Sequence, residues 1–380
     1  MPLMRQAFDH QLSLACGDDD NAFAASELVR APYLQRTETD STNVLFTATS
    51  IESYRVDVTL PDGSSVGSYD SIHDIEATPH DAHQHHVELS GLEADTIYCY
   101  SLHGAGDTLM APRAGFRTAP LSDSEAPVRF VAFGDSGSGG DGQYAVFDQM
   151  RQTAFDLVVV TGDVAYDSGT LDQYERTFFS VYEPMLVSVP TFPVLGNHDT
   201  YTDNGAPFRE VFDLPANGGP EGIERWYSFD WGPVHFVAID TELPSEAQAQ
   251  WVEADLQANG QPWTVVFTHK SPYSSGSHGS YLGFRETFSP ILEKYGVKLV
   301  LAGHDHHYER TKPIGGITYV ITGGGGRGTR SAGVSSFTAF SEDVLHFVHV
   351  TIAGDTLTLR AVDATGQEFD HVEIAGGEAS

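Results

Sequence analysis

Five short apolar runs in this chain each lead directly into residues that can bind a metal ion, and this pattern constrains the fold most. The residues at the ends of the runs are Gly134-Asp135-Ser136-Gly137, Gly162-Asp163-Val164-Ala165-Tyr166, Gly196-Asn197-His198-Asp199, Thr268-His269 and Gly303-His304-Asp305-His306. In an open α/β sheet, ligands gather at the carboxyl ends of the strands, so the five sets can converge on one point. Glycine at these strand ends permits a sharp turn and a close approach of the backbone.

Each set alone is ordinary. An Asp after a strand usually forms a turn or caps a helix, and an isolated His-x-His is more often a surface feature. Burying two Asp, an Asn, a Tyr and several His together, however, carries a desolvation cost that needs a partner. A cluster of metal ions is such a partner, so the five sets together predict a metal centre.

The apolar runs alternate with segments of helical spacing. Val128–Phe133 and Leu157–Val160 have the pattern of strands around a helix within Tyr144–Thr153, which is typical of a βαβ unit. Further elements are expected in a run ending at Leu195, at His235–Ile239, Ser245–Asn259 (helix), Thr264–Phe267, Arg285–Tyr295 (helix), Val297–Leu301, Ile317–Ile321, Leu345–Ile352 and Thr356–Val362. Runs that are apolar on both faces, with helices between them, predict buried sheets. We therefore predict an α/β domain over residues 128–373.

Residues 31–119 have short strands and frequent turns instead. Strands are expected at Asn43–Thr49, Tyr54–Thr59, His86–Leu89 and Thr96–Ser101. Between two of them, Pro61-Asp62-Gly63 forms a turn because Pro presets φ and Gly accepts φ > 0. This pattern predicts an all-β sandwich. The segment Leu89–Tyr100 resembles the tyrosine-corner region of a fibronectin type III domain. A linker is expected at 120–127, a flexible leader at 1–30 and a tail at 374–380.

The chain has two cysteines, Cys16 and Cys99, which excludes a disulfide scaffold and a Cys-rich zinc module. Strand alternation places Cys99 opposite Tyr98 and Tyr100, so we interpret it first as a packing residue and second as a disulfide partner. Ser13-Leu14-Ala15-Cys16, followed by Gly and three Asp, is similar to a bacterial lipoprotein cleavage site. It suggests a lipid anchor at Cys16 and an extracytoplasmic protein that is secreted, periplasmic or held at the cell surface. The alternative is a disordered tail with a chance Cys.

Charge excludes two classes of partner. The chain has 53 acidic and 20 basic residues, a formal net charge of −33, so it is not a general nucleic-acid binder and does not dock on anionic membranes. No apolar stretch reaches 18 residues, so no transmembrane helix is expected. The first domain also contains several histidines. We interpret them as exposed strand and loop residues in preference to a metal-binding tract: His73, His80, His83, His85 and His86.

The ordered series Gly134-Asp135-x-Gly137, Gly162-Asp163-x-x-Tyr166, Gly196-Asn197-His198, His269 and Gly303-His304-x-His306 resembles the calcineurin-like metallophosphoesterases. Within them it is most similar to purple acid phosphatases, because Tyr166 stands at their tyrosine position. The resemblance covers about residues 31–365. It implies a fibronectin type III-like sandwich followed by a metallophosphoesterase fold of two packed β-sheets flanked by helices (αββα).

The resemblance also implies two metal ions and their ligands. One ion takes Asp135, Tyr166, His306 and one oxygen of Asp163, and the second takes Asp163, Asn197, His269 and His304. Carboxylates and a phenolate suit Fe(III) at the first position, whereas imidazoles and an amide suit a divalent Zn, Fe or Mn ion at the second.

The implied activity is that of an acid phosphatase, which hydrolyses a small phosphate monoester with a metal-bridging hydroxide. His198 and His278 are the candidate catalytic residues. Asp199 either orients His198 or caps a helix, Asp305 and His307 face away from the metals, and Arg310 forms a structural ion pair. The Gly-rich segment Gly323–Thr329 is interpreted as a tight turn in preference to a phosphate cradle.

Two alternatives stay open. The same metal centre suits a phosphodiesterase or nucleotidase. A protein of another class, a surface-anchored binding protein with structural metals, is consistent with the sandwich domain and the lipoprotein-like segment. The sequence makes no prediction of oligomeric state.

Overall fold

A computed structural model describes Cys16, residues 28–73 and residues 82–376, which divide into two compact units. The first holds the described residues up to Leu121 together with Arg151–Asp156 and Phe179–Thr191, and the rest form the second. Most of the predicted leader, His80 and the end of the tail lie outside the described residues. Within these residues, no helix has the length and apolar character needed to cross a bilayer.

Two four-stranded sheets form the first unit, with neighbour orders β1-β2-β6-β5 and β4-β3-β7-β8. The strands are β1 (Leu28–Gln35), β2 (Ser41–Ala48), β3 (Arg55–Thr59), β4 (Ser65–Asp70), β5 (Ile72–His73), β6 (His83–Ser90), β7 (Ile97–Gly104) and β8 (Thr108–Arg117). A short 3-10 turn, Ala105–Asp107, precedes β8. Alternate residues such as Val56 and Val58 are buried because side chains alternate along a strand, so one face of each sheet packs into a shared core.

Two segments that the sequence analysis assigns to the second domain belong to the first unit. Val187 packs in the core of that unit, and its carbonyl accepts a hydrogen bond from the Tyr100 hydroxyl at 2.7 Å. This contact joins residues 87 positions apart, so no local pattern in the sequence could have predicted it.

Cys99 is paired with Cys16 in a disulfide, and its neighbours Tyr98 and Tyr100 lie in the core on the opposite face. The alternation was therefore predicted correctly, but Cys99 is first a disulfide partner and not a simple packing residue. The lipid anchor at Cys16 is also wrong in this structure, because a sulfur in a disulfide is not available for a thioether to a lipid. At the corner, the Glu93 N–H donates to the Tyr98 hydroxyl at 2.8 Å.

One of the predicted exposed histidines is buried. His85 stacks on Phe46 at 5.0 Å between ring centroids and lies edge-on to Tyr54. Burial lowers the pKa of His85 to about 4, so it is neutral at physiological pH. In the part of the chain that the structure describes, none of these histidines joins two other ligating groups in a metal-sized cluster.

The second unit contains two larger sheets with helices on their outer faces. Its strands are β9 (Val128–Phe133), β10 (Leu157–Val160), β11 (Thr191–Pro193), β12 (Tyr227–Trp231), β13 (Val234–Ile239), β14 (Trp263–Lys270), β15 (Leu299–Gly303), β16 (Tyr308–Thr311), β17 (Thr318–Thr322), β18 (Thr338–Glu342), β19 (His346–Ala353), β20 (Thr356–Asp363) and β21 (Glu368–Ala375). From residue 82 onward, the described part of the chain has the helices α1 (Asp141–Met150), α2 (Leu171–Tyr174), a π-helical turn (Glu175–Phe179), α3 (Ser180–Leu186, in the first unit), α4 (Asn197–Thr200), a 3-10 turn (Asp203–Gly205), α5 (Ala206–Val211), α6 (Glu246–Ala258), α7 (Leu282–Thr287) and α8 (Ser289–Lys294).

The sheets have neighbour orders β11-β10-β9-β19-β20-β21 and β12-β13-β14-β15-β17-β16-β18. They pack face to face, as the edge-on contact of Phe130 with Phe236 at 5.2 Å shows. Val252, Phe284 and Leu292 from α6, α7 and α8 cover the outer face of the second sheet. The β9/β10 pair and the β13/β14/β15/β17 set are parallel, so their carboxyl ends share an edge of each sheet.

The predicted strands and helices of this unit are present, with one break. The helix expected at Arg285–Tyr295 is two helices separated at Phe288, because Pro290 in the first turn of α8 has no N–H to continue α7. Strands β12, β16, β18 and β21 were not predicted. All four mix polar with apolar residues, and β12, β18 and β21 are edge strands, so they lack a continuous apolar run.

A buried histidine links three elements beside the second sheet. His235 Nδ1 lies 2.6 Å from Asp230 Oδ1, and its Nε2 lies 2.8 Å from Asp255 Oδ2 on α6. Burial by itself lowers the pKa of His235, but hydrogen bonds to the two carboxylates outweigh it and raise the pKa to about 9.

We predict a pH-dependent stability from this triad. A raised pKa favours folding fully below pH 6.5, the ordinary value for His, and this contribution is lost as pH rises through about 9. Between those values, the free energy of unfolding of the wild type should fall by about 1–3 kcal/mol more than that of His235→Gln. Urea unfolding at constant ionic strength measures this difference, and parallel pH profiles would contradict it.

Candidate metal centre

All seven predicted ligands lie together at the edge where the parallel strands of the second unit end. Asp135 follows β9, and Asp163 and Tyr166 follow β10. The others come from the turn after β11 (Asn197), the end of β14 (His269) and the turn after β15 (His304, His306). The topology therefore brings five separate segments to one point.

The first group of ligand atoms surrounds the Tyr166 hydroxyl. That oxygen lies 2.9 Å from Asp135 Oδ1, 2.7 Å from Asp163 Oδ2 and 3.3 Å from His306 Nε2. His306 Nε2 is in turn 3.3 Å from Asp135 Oδ1. These four groups offer a phenol, two carboxylates and an imidazole within reach of one ion.

The second group surrounds His269. Its Nε2 lies 3.2 Å from Asn197 Oδ1, 3.2 Å from His304 Nδ1 and 3.4 Å from Asp163 Oδ1. Asp163 therefore directs one carboxylate oxygen to each group. A single carboxylate shared in this way can serve two neighbouring ions.

Unusual backbone conformations aim the ligands. Asp135, Asp163 and His304 have φ of 55°, 50° and 71°, in the left-handed region that residues other than Gly rarely adopt. Such strain is typically held at functional sites by the surrounding structure. The motif glycines serve mainly through close approach, since a Cβ on Gly196 would overlap the Asp163 carboxylate and one on Gly134 would overlap Thr161.

Backbone groups fix the orientation of these side chains. His269 Nδ1 donates to the Thr161 carbonyl at 2.9 Å, which leaves Nε2 free to bind an ion. The His304 N–H donates to Asp135 Oδ2 at 2.8 Å, and the His198 N–H donates to Asp163 Oδ1 at 2.9 Å. Each carboxylate is thus held by one main-chain donor.

The electrostatics of the cluster fit a cation. Asp135 and Asp163 are fully buried, and their ion-pair partners within the described residues are histidines and not Lys or Arg. Burial raises the pKa of Asp163 and the Asp135 charge adds to this, while hydrogen bonding to His306 overcomes burial and lowers the pKa of Asp135 to about 2. Two buried carboxylates that share a site in this way are stabilised together by metal ions.

Tyr166 and His269 respond to the same charges. Burial and the two carboxylates raise the pKa of Tyr166 well above its ordinary value, and the carboxylates outweigh burial to raise the pKa of His269 to about 9. A bound cation would have the opposite effect: it would lower both pKa values and so favour the phenolate form of Tyr166 and the neutral imidazole of His269. The oxygen and nitrogen donors therefore suit a pair of metal ions.

His198 lines an open cleft beside the first ligand group. Its Nδ1 lies 2.6 Å from the Asp167 carbonyl, and its ring packs on that of Tyr166 at 4.4 Å. Asp199 does not orient it. The Asp199 carboxylate is buried beneath the site, where it caps α4 by accepting the Gly196 N–H at 2.8 Å and also accepts the Val164 N–H.

His278 also lies beside the ligands. Its ring stacks on His304 at 4.1 Å, and Asp305 accepts hydrogen bonds from its backbone N–H and faces its Nδ1, both at 3.1 Å. Asp305 and His307 are outside the ligand cluster, as predicted, but Asp305 has the further role of holding the His278 loop.

Arg310 pairs with Asp370 at 2.6 Å, which confirms a structural ion pair.

The Gly-rich segment is not a tight turn: it begins the long loop between β17 and β18, is tied to the site, and carries residues to which the sequence analysis gave no individual role. Gly325 N donates to Gly134 O at 3.0 Å, and the loop beyond it brings Arg327 and Arg330 to the cleft. Another missed residue is Tyr201, whose hydroxyl accepts from Asn197 Nδ2 at 3.0 Å. No motif signalled these residues, because an isolated Arg or Tyr in a loop has no characteristic spacing.

Comparison with known proteins agrees with this geometry. A family model described as calcineurin-like phosphoesterase matches residues 128–308. The chain is 30% identical over 263 residues to purple acid phosphatase 21 of Arabidopsis thaliana, covering 64% of this chain and 58% of that protein. It is 28% identical over 274 residues to probable inactive purple acid phosphatase 27 of the same plant, covering 60% and 44%.

A solved structure has the same fold. The purple acid phosphatase from seeds of yellow lupin, Lupinus luteus, superposes with a TM-score of 0.79 at 23% identity, covering 90% of this chain and 74% of that one. The chain spans about half the length of the curated relatives that it matches. The fold follows from the structural match, whereas the relatives differ in the activity that their names state.

We predict that Asp163 is required for both metal positions. Asp163→Asn should reduce the metal content of the purified protein from about two ions to less than one, because it weakens both groups of ligands. Elemental analysis by mass spectrometry measures this content. Asp355→Asn, in the exposed turn between β19 and β20, is the control and should keep both ions; full metal content in Asp163→Asn would disprove the shared carboxylate.

A second prediction concerns Tyr201, which holds the amide of Asn197. Tyr201→Phe should weaken metal binding in the second group by about tenfold, the low end for a residue behind a ligand, because Tyr201 is 62% exposed. Competition with a chelator, followed by metal analysis, gives the affinity of each position. Tyr144→Phe, at an exposed position on α1, is the matched control. An unchanged metal affinity of the second group in Tyr201→Phe would reject the positioning role.

Proposed function

We propose that this chain is a purple acid phosphatase-like member of the calcineurin-like metallophosphoesterase superfamily and that it hydrolyses phosphate monoesters at a centre of two metal ions. The observation that carries the proposal is the position of the Asp163 carboxylate. One oxygen is 2.7 Å from the Tyr166 hydroxyl and the other is 3.4 Å from His269 Nε2. This arrangement fits a ligand shared by two ions.

The ligand assignment follows the two groups. Asp135, Tyr166, His306 and Asp163 would hold one ion, and Asp163, Asn197, His269 and His304 would hold the other. The hard oxygen donors of the first group favour Fe(III), and the imidazoles and amide of the second favour Zn, Fe or Mn in the divalent state. When bound, such ions polarise phosphoryl oxygens and supply a nucleophile derived from water.

His198 is the residue best placed to act on the ester. The Asp167 carbonyl can only accept a hydrogen bond, so Nδ1 of His198 carries a proton and Nε2 is directed toward the cleft. In its imidazolium form, Nε2–H can donate to a phosphate oxygen or to the leaving alkoxide. His198 therefore binds the phosphoryl group or acts as general acid.

His278 has a supporting role in the proposal. Asp305, which is buried, holds its Nδ1, and the ring stacks on a ligand of the second group. A substrate phosphate at the centre would lie between His198 and His278. Neither side chain would form a covalent intermediate. The nucleophile derives from water, so no nucleophilic Ser or Cys is needed.

We also propose a fibronectin type III-like fold for the first unit and an extracytoplasmic location. Sheet orders β1-β2-β6-β5 and β4-β3-β7-β8 and the corner at Tyr98 support the first. The Cys16–Cys99 disulfide supports the second, because such bonds persist in oxidising compartments.

A substrate panel on the metal-loaded protein tests the activity. We expect hydrolysis of 4-nitrophenyl phosphate to exceed that of bis(4-nitrophenyl) phosphate. The reverse order would instead favour the phosphodiesterase or nucleotidase, and no turnover with two bound ions would favour a binding protein with structural metals.

We further predict that His198→Ala lowers kcat by about 10²- to 10⁴-fold, the range for loss of a general acid. Its metal content should remain at wild-type level, because His198 Nε2 is 3.9 Å from the nearest Asp163 oxygen. His371→Ala, an exposed position on β21, is the control. A kcat within twofold of the wild type would remove His198 from the reaction.

A further inference from the structure

Two arginines form one wall of the cleft beside the ligand cluster. The cleft has a volume of about 240 Å³ and is lined by Tyr166, His198, His306, Arg327, Gly328, Thr329 and Arg330. Arg327 and Arg330 come from the loop between β17 and β18, and the other charged or titratable side chains of this lining come from the site described above.

The loop is fixed to the backbone of two ligand residues. The Arg327 N–H donates to the Asp135 carbonyl at 3.0 Å, and the Arg330 N–H donates to the His306 carbonyl at 2.9 Å. Gly326 allows the close approach, because its φ is 147° and a Cβ there would overlap the Ser136 carbonyl. The backbone that carries the two guanidinium groups is therefore held beside the ligand residues by hydrogen bonds.

Arg327 is held on the wall by an exposed partner. Its Nη2 lies 2.7 Å from Asp167 Oδ1, and its guanidinium lies 5.0 Å from the centre of the Tyr166 ring. Asp167 also holds His198 through its carbonyl. Arg327 is thus oriented beside the cleft, with part of its charge compensated.

Arg330 has no such compensation. Its guanidinium contacts the His278 ring, with Nη1 2.7 Å from Nε2, and within the described ranges no carboxylate lies within 4 Å of it. A cation without an acidic partner stands out in a chain of formal net charge −33. Its planar fork suits the oxygens of a phosphate or carboxylate.

We propose that Arg330, assisted by Arg327, binds a second anionic group of the substrate, so that the preferred substrates are phosphate esters carrying another phosphate. This inference rests on the proposed phosphatase function. The scissile phosphate would be bound by the ligand cluster and His198, and the arginines line the open cleft beside these residues. A second phosphate on the same molecule would reach them while the first occupies the centre.

Kinetics with fructose 6-phosphate and fructose 1,6-bisphosphate test the proposal, because the two substrates differ by one phosphate. The measured quantity is the ratio of kcat/KM for the bisphosphate to that for the monophosphate. Arg330→Gln should lower this ratio by about 10- to 100-fold, the range for loss of a hydrogen bond between charged groups. Arg330→Lys should restore part of it, and Arg327→Gln should have a smaller effect because Asp167 already pairs with that arginine.

Arg360→Gln is the matched control, since Arg360 is an exposed arginine on β20 that faces Glu368. It should leave the ratio and both activities unchanged. An Arg330→Gln variant that loses both activities equally would show that Arg330 acts on the transferred phosphate, and an unaffected ratio would show no role; either result overturns the proposal.

Binding separates this inference from the proposed function. Calorimetry is done on the metal-loaded His198→Ala variant, which should hydrolyse the ester slowly enough for a binding measurement. Adding Arg330→Gln to this variant should weaken binding of fructose 1,6-bisphosphate at least tenfold. Equal binding would overturn the second-anion site. Tight, Arg330-dependent binding without turnover would support that site and reject the phosphatase.

Discussion

The two buried carboxylates of Asp135 and Asp163 determine how the residues around the ligand cluster of the second unit are arranged. In the described part of the chain, no Lys or Arg pairs with them, so their mutual repulsion is opposed by main-chain N–H donors and by histidines, and a pair of cations would stabilise them. The left-handed backbone at Asp135, Asp163 and His304 is consistent with the same demand, because each strand must turn at once to direct its side chain to a common point.

Support for these residues comes from layers beneath and beside them. Asp199 is buried below the cluster and accepts main-chain N–H groups at Val164 and Gly196, so it ties the turn after β10 to the turn after β11. Thr161 fixes His269, Asp167 fixes His198 and Asp305 fixes the His278 loop. His269, His198 and the His278 loop are thus each oriented by a residue from another segment, which is the arrangement that a metal site needs to hold its geometry.

Charge distribution connects the site with its proposed substrates. The chain is strongly acidic, yet the wall formed by Arg327 and Arg330 is cationic and lies next to the ligand cluster. The positive potential near this wall favours binding of a phosphate ester and opposes the repulsion that the acidic surface exerts on it. The glycines of the same loop allow close backbone approach, so one short segment both closes the site from one side and supplies the cationic wall.

The assignment of individual ligands came from the family resemblance. The five sets of polar residues and the alternation of strands and helices could be predicted from the amino-acid sequence, because they depend on local patterns: apolar runs, and polar residues directly after them. Strands β12, β16, β18 and β21 could not, since their polar residues hide the apolar alternation. Tertiary structure alone decided the Cys16–Cys99 pairing, the packing of Val187 with the first unit and the placement of Arg327, Arg330 and Tyr201. These features join residues that are distant in the chain or lie in loops without a repeating pattern, and only the folded backbone brings them together.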